Sequence, residues 1–239
     1  FSYQNKETDI LAVDNANNPF RDKKGKLLFR PGGHGALIEN LNELDGDVIF
    51  VKNIDNVIQN HKGINVLYKK ALAGIMVELQ NQIFNYLQAI EDGRDINVKE
   101  IIDFVKHKLN IKVSKDVLKY TLENQIAHFR KILDRPIRVC GMVKNEGDTG
   151  GGPFMVRDSK GAVSLQIVET SQIDLTNPEQ AKIFSRSTHF NPVDLVCGIH
   201  NYKGNKFYLP DFVDNNSGFI VQKNKDGEQL KSYELPGLW

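Results

Sequence analysis

A carboxylate, a histidine and several amides stand in this 239-residue chain where side chains do chemistry more readily than they pack. Asp55 follows the apolar run Val48-Ile49-Phe50-Val51, with Asn53 and Asn56 beside it. A carboxylate at the end of a buried strand is a hard oxygen ligand, suited to magnesium held against phosphates. An Asp that caps the following turn is the plainer alternative. His34 lies between glycines in Pro31-Gly32-Gly33-His34-Gly35, a loop so bare of side chains that its N–H groups can approach a ligand closely. A histidine so placed has no packing reason to be there, and alone it makes a poor metal site.

These residues need elements to hold them. Residues 36–44 carry Leu37, Ile38, Leu41 and Leu44 at helical spacing, and 47–51 read as a short buried strand. Loop, helix, buried strand and polar strand end form the layout of an α/β nucleotide site, where ligands sit beyond the strand ends. From 64 to 134 the period becomes helical throughout. A long helix runs through Leu67, Ile75, Met76, Ile83 and Leu87, a second starts at Asn97 with Glu100 behind it, and a third is capped by Ser114. That block reads as all helix, inserted between strands of one sheet. Beyond it come strands at 137–143, 154–156, 163–170, 193–199 and 206–209, a short helix opening at Asn177-Pro178, and a last pair around Asp226-Gly227. The glycines of 146–153 do not make a phosphate loop, since no Gly-Lys-Ser/Thr follows and no helix opens there.

The Pro-x-Gly-His-Gly loop, followed by a helix and a strand ending Ile54-Asp55-Asn56, resembles the UDP-sugar pyrophosphorylase (UTP:hexose-1-phosphate uridylyltransferase) superfamily. The fuller wording, RPGGHGALIENLN and NIDN, resembles an uncharacterised bacterial domain-of-unknown-function family that shares those motifs. The resemblance implies an α/β fold of the nucleotide-diphospho-sugar transferase (GT-A-like) type with a mixed sheet; the helical block at 64–134 departs from the superfamily and reads as an insertion, a lid or a packing surface. The resemblance also implies transfer of a nucleotidyl group from UTP to a sugar 1-phosphate, with release of pyrophosphate and magnesium as cofactor. Asp55 would hold the metal, and His34 would act beside it. Gly32, Gly33, Gly35, Asn53 and Gln4 would face the nucleotide and its phosphates, although a plain strand-edge amide suits Gln4 equally. Glu169, in Ile167-Val168-Glu169-Thr170, resembles the glutamate that binds sugar hydroxyls, and a strand end in water is an even alternative. Asn191 and Asp194, in His189-Phe190-Asn191-Pro192-Val193-Asp194, resemble a Phe-Asn-x-x-Asn sugar segment. Asp194 departs from that pattern, and its charge disfavours an anion there. The superfamily's lysine-bearing phosphate loop would lie before residue 1 and a basic segment after 239. Residues 1–239 therefore read as the middle piece of a longer protein, inactive alone. A non-catalytic sugar-nucleotide binder on the same scaffold and an interaction module built on the helices are the rival readings.

Composition narrows the partners. The net charge of +1 gives no broad attraction to nucleic acid or to anionic lipid, and no apolar run approaches a membrane span. Cys140 and Cys197 stand in strand-like runs, where cysteine is a small buried hydrophobe, and the expected compartment is cytoplasmic.

Overall fold

A computed structural model describes residues 2–54, 61–147, 150–159 and 161–237. Asp55 and Asn56 lie outside the described residues, so the metal-binding and catalytic expectation for Asp55 does too. Strands β1 (Ile10–Leu11) and β2 (Phe29–Arg30) come first, then helix α1 (Ile38–Glu43) and strand β3 (Ile49–Lys52). Helices α2 (Lys62–Glu91) and α3 (Val98–His107), strand β4 (Ile111–Lys112) and helix α4 (Leu122–Leu133) follow. Strands β5 (Ile137–Cys140), β6 (Val143–Lys144), β7 (Gly152–Arg157) and β8 (Val163–Val168) lead to helix α5 (Pro178–Ser185). Strands β9 (His189–Phe190), β10 (Asp194–Gly198), β11 (Phe219–Lys225) and β12 (Glu228–Glu234) complete the order. Among the described residues the strands form five small sheets of two or three strands each. Contacts divide the chain into two compact units.

The larger unit comprises Gly46–Ile167 and Thr188–Phe207. Its principal sheet has the order β3-β10-β5, and both pairings are antiparallel. The flanks of the helical block, β3 and β5, therefore belong to one sheet as expected, but β10 is its centre. Leu195, Val196, Cys197 and Ile199 are buried, whereas Phe50 on the edge strand β3 is half exposed. The run at 48–51 is thus an edge strand, because the central place went to a segment some 140 residues away in sequence. The helical core joins Ile83, Leu87, Ile101, Val105, Phe129 and Leu133. Asn97 caps α3 as its spacing predicts: its Oδ1 accepts from the Lys99 N–H at 3.2 Å and its Nδ2 donates to Glu100 at 2.8 Å.

Two helical expectations are corrected here. The block is not all helix, since β4 pairs antiparallel with β8. Ser114 does not cap α4; its hydroxyl accepts from the Asp116 N–H in a turn, and the cap is Thr121. A polar residue before an apolar run marks a helix start only where the backbone is free to continue, and here a 3-10 turn at Val117–Lys119 intervenes.

The smaller unit comprises Phe1–Asp45, Val168–Ser187 and Tyr208–Trp239. Ala12, Phe20 and Leu230 form its small core, joining the β1 region to the β11–β12 hairpin. Residues 34–37 make a 3-10 turn before α1, so the helix starts later than its apolar spacing predicts. Residues 206–209 do not form a strand: Lys206 bridges His200 and a 3-10 turn covers Leu209–Phe212.

Candidate functional site

Antiparallel pairing decides what meets at one end of the β3-β10-β5 sheet. The C-terminal ends of β3 and β5 lie beside the N-terminal end of β10, with Lys52 directly opposite Asp194. Opposite charges so placed attract across the pair. Lys52 Nζ donates to Asp194 Oδ2 at 2.7 Å and to the Pro192 carbonyl at 3.3 Å. From α2, Lys69 Nζ comes to 3.9 Å from Asp194 Oδ1. That oxygen is buried and accepts no hydrogen bond among the described residues. All three side chains keep some exposure, 20% and 38% for Lys52 and Lys69 and 25% for Asp194. Two ammonium groups thus surround one carboxylate, and the charge of Asp194 that spoke against an anion in the sequence is more than balanced.

Asn191 has a structural role. It is buried, its Nδ2 donates to the Gly141 carbonyl at 2.7 Å and its Oδ1 accepts from the Val193 N–H at 3.1 Å. These bonds hold Val193 at φ +56°, a left-handed conformation that β-branched residues avoid. The Val193 carbonyl then accepts from the Asn53 N–H at 3.3 Å. Asn53 and Asn191 shape the strand end and set the approach of Asp194 to Lys52.

The Gly-His-Gly loop belongs to the smaller unit, and its surroundings differ from expectation. A side chain on Gly35 would overlap the Leu235 carbonyl oxygen, and one on Gly33 would overlap the Glu234 carboxylate. A side chain on Gly32 would meet the Thr8 carbonyl oxygen at 2.6 Å. Gly33 has φ +81° and ψ −172°, a region held almost only by glycine. The bare loop receives the chain's own segment 234–237, tied down by the Leu235 N–H on the Gly32 carbonyl at 2.8 Å. That is a packing reason for the glycines which the local sequence does not reveal.

Around this loop lies a small titratable cluster. His34 Nδ1 is 3.9 Å from Glu234 Oε2, and Lys223 Nζ is 3.5 Å from Glu234 Oε1. Burial holds the His34 pKa below its ordinary value against the opposing pull of Glu234. Burial, and then the charge of Glu234, pushes the Glu169 carboxyl upward. Glu234 is thus the residue that acts on both His34 and Glu169. Sequence reading missed Glu234 because it stands in the apolar-looking run 234–239. Gln4 donates to Thr8 Oγ1 at 3.0 Å beside a 3-10 turn and lies in no strand.

Both cysteines are free thiols, Cys197 buried and Cys140 partly so. Burial raises the Cys140 thiol pKa and lifts that of Cys197 to about 11. Among the described residues no group of three His, Cys, Asp or Glu side chains converges to hold a metal, and no helix is long and apolar enough to cross a membrane.

Small sheets and five helices, among the described residues, define a mixed α/β protein with a charged strand end in one unit and a glycine loop in the other. The chain belongs to the family described as Domain of unknown function (DUF4301), whose model matches residues 1–239. Neither the curated proteins nor the solved structures give a match. The likeness to an uncharacterised family is thereby borne out, while the wider likeness to UDP-sugar pyrophosphorylases rests on the motifs alone.

Proposed function

We propose that this chain is part of a nucleotidyltransferase that joins UTP to a sugar 1-phosphate and releases pyrophosphate, on a GT-A-like scaffold. The observation that carries the reading is the buried, hydrogen-bond-free Asp194 Oδ1, 3.9 Å from Lys69 Nζ, on a carboxylate whose Oδ2 is bonded to Lys52. A buried acceptor left unmet costs about 1–3 kcal/mol, and a ligand hydroxyl relieves that cost. The flanking ammonium groups suit a phosphate on the same ligand. Hydroxyl and phosphate a short distance apart describe a sugar 1-phosphate or the sugar end of a sugar nucleotide. Transfer needs no protein nucleophile, only alignment and neutralisation of phosphate charge, and Lys52 and Lys69 supply the charge.

The described donors at this strand end do not fit magnesium, because the two ammonium groups beside the single carboxylate repel a further cation. Asp55, the residue to which the motif gives the metal, lies outside the described residues.

Calorimetric titration with glucose 1-phosphate and UDP-glucose tests the binding step. Lys69→Ala, at a half-exposed position, is expected to weaken both by about tenfold, or 1.4 kcal/mol. Unchanged affinity in Lys69→Ala and Asp194→Asn would remove the site from consideration. Pyrophosphate release from UTP and glucose 1-phosphate, by the intact protein that contains these residues, separates the enzyme from a non-catalytic sugar-nucleotide binder. A second reading, an interaction module, is favoured by Ile64, Leu67, Tyr68 and Ile75, which expose an apolar stripe along α2. Self-association or partner capture that is lost in Leu67→Ser, without any ligand binding, would prefer it.

A further inference from the structure

The larger unit holds a cavity at the end of the β3-β10-β5 sheet opposite to Lys52 and Asp194. Asp47 lies just before β3 and His200 just after β10, and both line it together with Gln80 and Phe84 of α2 and Asn201, Tyr202 and Gly204. Its volume is about 340 Å³, within the roughly 300–1,000 Å³ usual for small-ligand sites. We infer that this cavity is a binding site for an uncharged sugar, recognised by aromatic faces and by a ring of mixed hydrogen-bonding groups.

The chemistry of the lining argues for that class. Asp47 only accepts hydrogen bonds, while Gln80 both donates and accepts. The Asn201 carbonyl oxygen already accepts from the Lys203 and Asn205 N–H groups, both at 3.0 Å, so a ligand meets its NH2 group. Donors and acceptors side by side suit hydroxyls, which do both. An ammonium ion would leave the Asn201 NH2 opposed, and a phosphate would meet Asp47 with no lysine or arginine among the lining residues to offset it. Phe84 and Tyr202 supply flat apolar faces for the C–H side of a sugar ring.

The walls are set in place before any ligand arrives. Both rings pack on the helical core of Ile83, Leu87 and Phe129. The Tyr202 hydroxyl donates to the Glu91 carboxylate and accepts from Arg130 Nη2 at 3.4 Å, which fixes the ring from outside. Lys203 is likewise ion-paired with Glu91, its Nζ 5.4 Å from the Tyr202 ring centroid, so the pair braces that ring. Gly198 lets α2 press on β10: a side chain there would lie 2.5 Å from Gln80 Nε2 and 3.1 Å from Met76 Sδ. Fixed walls reduce the ordering entropy lost on binding.

Saturation-transfer NMR with glucose, maltose, glucosamine and glucose 6-phosphate tests the inference. Glucose and maltose are expected to bind the wild-type chain, with Asp47→Ala and Phe84→Leu each weakening maltose by about tenfold. Asp47 is exposed, so its removal leaves the fold intact, and Phe84→Leu keeps apolar bulk while removing the ring. Lys69→Ala should leave maltose binding unchanged, just as Asp47→Ala should leave glucose 1-phosphate binding unchanged, which keeps this site separable from the phosphate site proposed above. No transfer to either neutral sugar, tighter binding of glucosamine or glucose 6-phosphate than of glucose, or maltose binding insensitive to Asp47→Ala and Phe84→Leu would each overturn it.

Discussion

Replacing Gly35 by alanine tests whether the glycine loop exists to receive segment 234–237. An added Cβ would overlap the Leu235 carbonyl oxygen and stand 2.7 Å from the Leu235 carbonyl carbon and 3.0 Å from that of Pro236. Carbon atoms rest at about 3.5 Å or more, so backbone on one side must yield by roughly 1 Å. No side-chain rotation relieves this, which places the cost in the upper part of the overpacking range, at about 2–3 kcal/mol. For a chain of this size, that corresponds to a fall in Tm of about 4–12 °C. Gly33→Ala meets a different obstacle. The Glu234 carboxylate can swing aside, but the backbone conformation costs about 1–3 kcal/mol and the approach of Glu234 to His34 is lost. Urea unfolding followed by circular dichroism measures both. Gly74→Ala in α2, where a side chain meets nothing within 4 Å, serves as the opposite control and should stabilise by about 0.5–1 kcal/mol. A Gly35→Ala protein within about 0.5 kcal/mol of wild type would refute the packing account and return the loop to a ligand.

Three further outcomes are expected. Lys52→Met keeps the apolar stem but removes the 2.7 Å bond to Asp194, and denaturant titration should show a loss of about 1–3 kcal/mol. The Glu169 carboxyl is raised above 4.5 by burial and then by Glu234, so its contribution to stability is intact below the unfolded value and is lost as pH rises through the folded one. Glu169→Gln should therefore stabilise more at pH 8 than at pH 4, and a constant difference in denaturation midpoint would contradict the assignment. His34 has the opposite sign: its contribution is present above 6.5 and is lost as pH falls through the depressed folded value, and His34→Gln should flatten that acid-side slope.

Local chemistry alone determined a good part of this protein. Asn97 with Glu100 three residues on announced the start of α3, because a capping side chain acts on backbone within its own turn. Helical periodicity marked α2, α3 and α4, and the glycines of 146–153 were rightly read as leading into no helix, since β7 begins at Gly152. The motifs carried the family resemblance in a single stretch. Long-range pairing decided the rest. Which strand lies at the sheet centre depends on which partner buries more apolar surface, and β10 won that place from β3 without any signal inside 48–51. Lys69 was one lysine among several on a helix until α2 packed across the sheet and brought it to Asp194. Glu234 was part of an apolar tail until β12 delivered it to His34. Spacing in the chain reports contacts within a turn or a hairpin; polar contacts formed across 125 or 200 residues exist only once the backbone between them has folded.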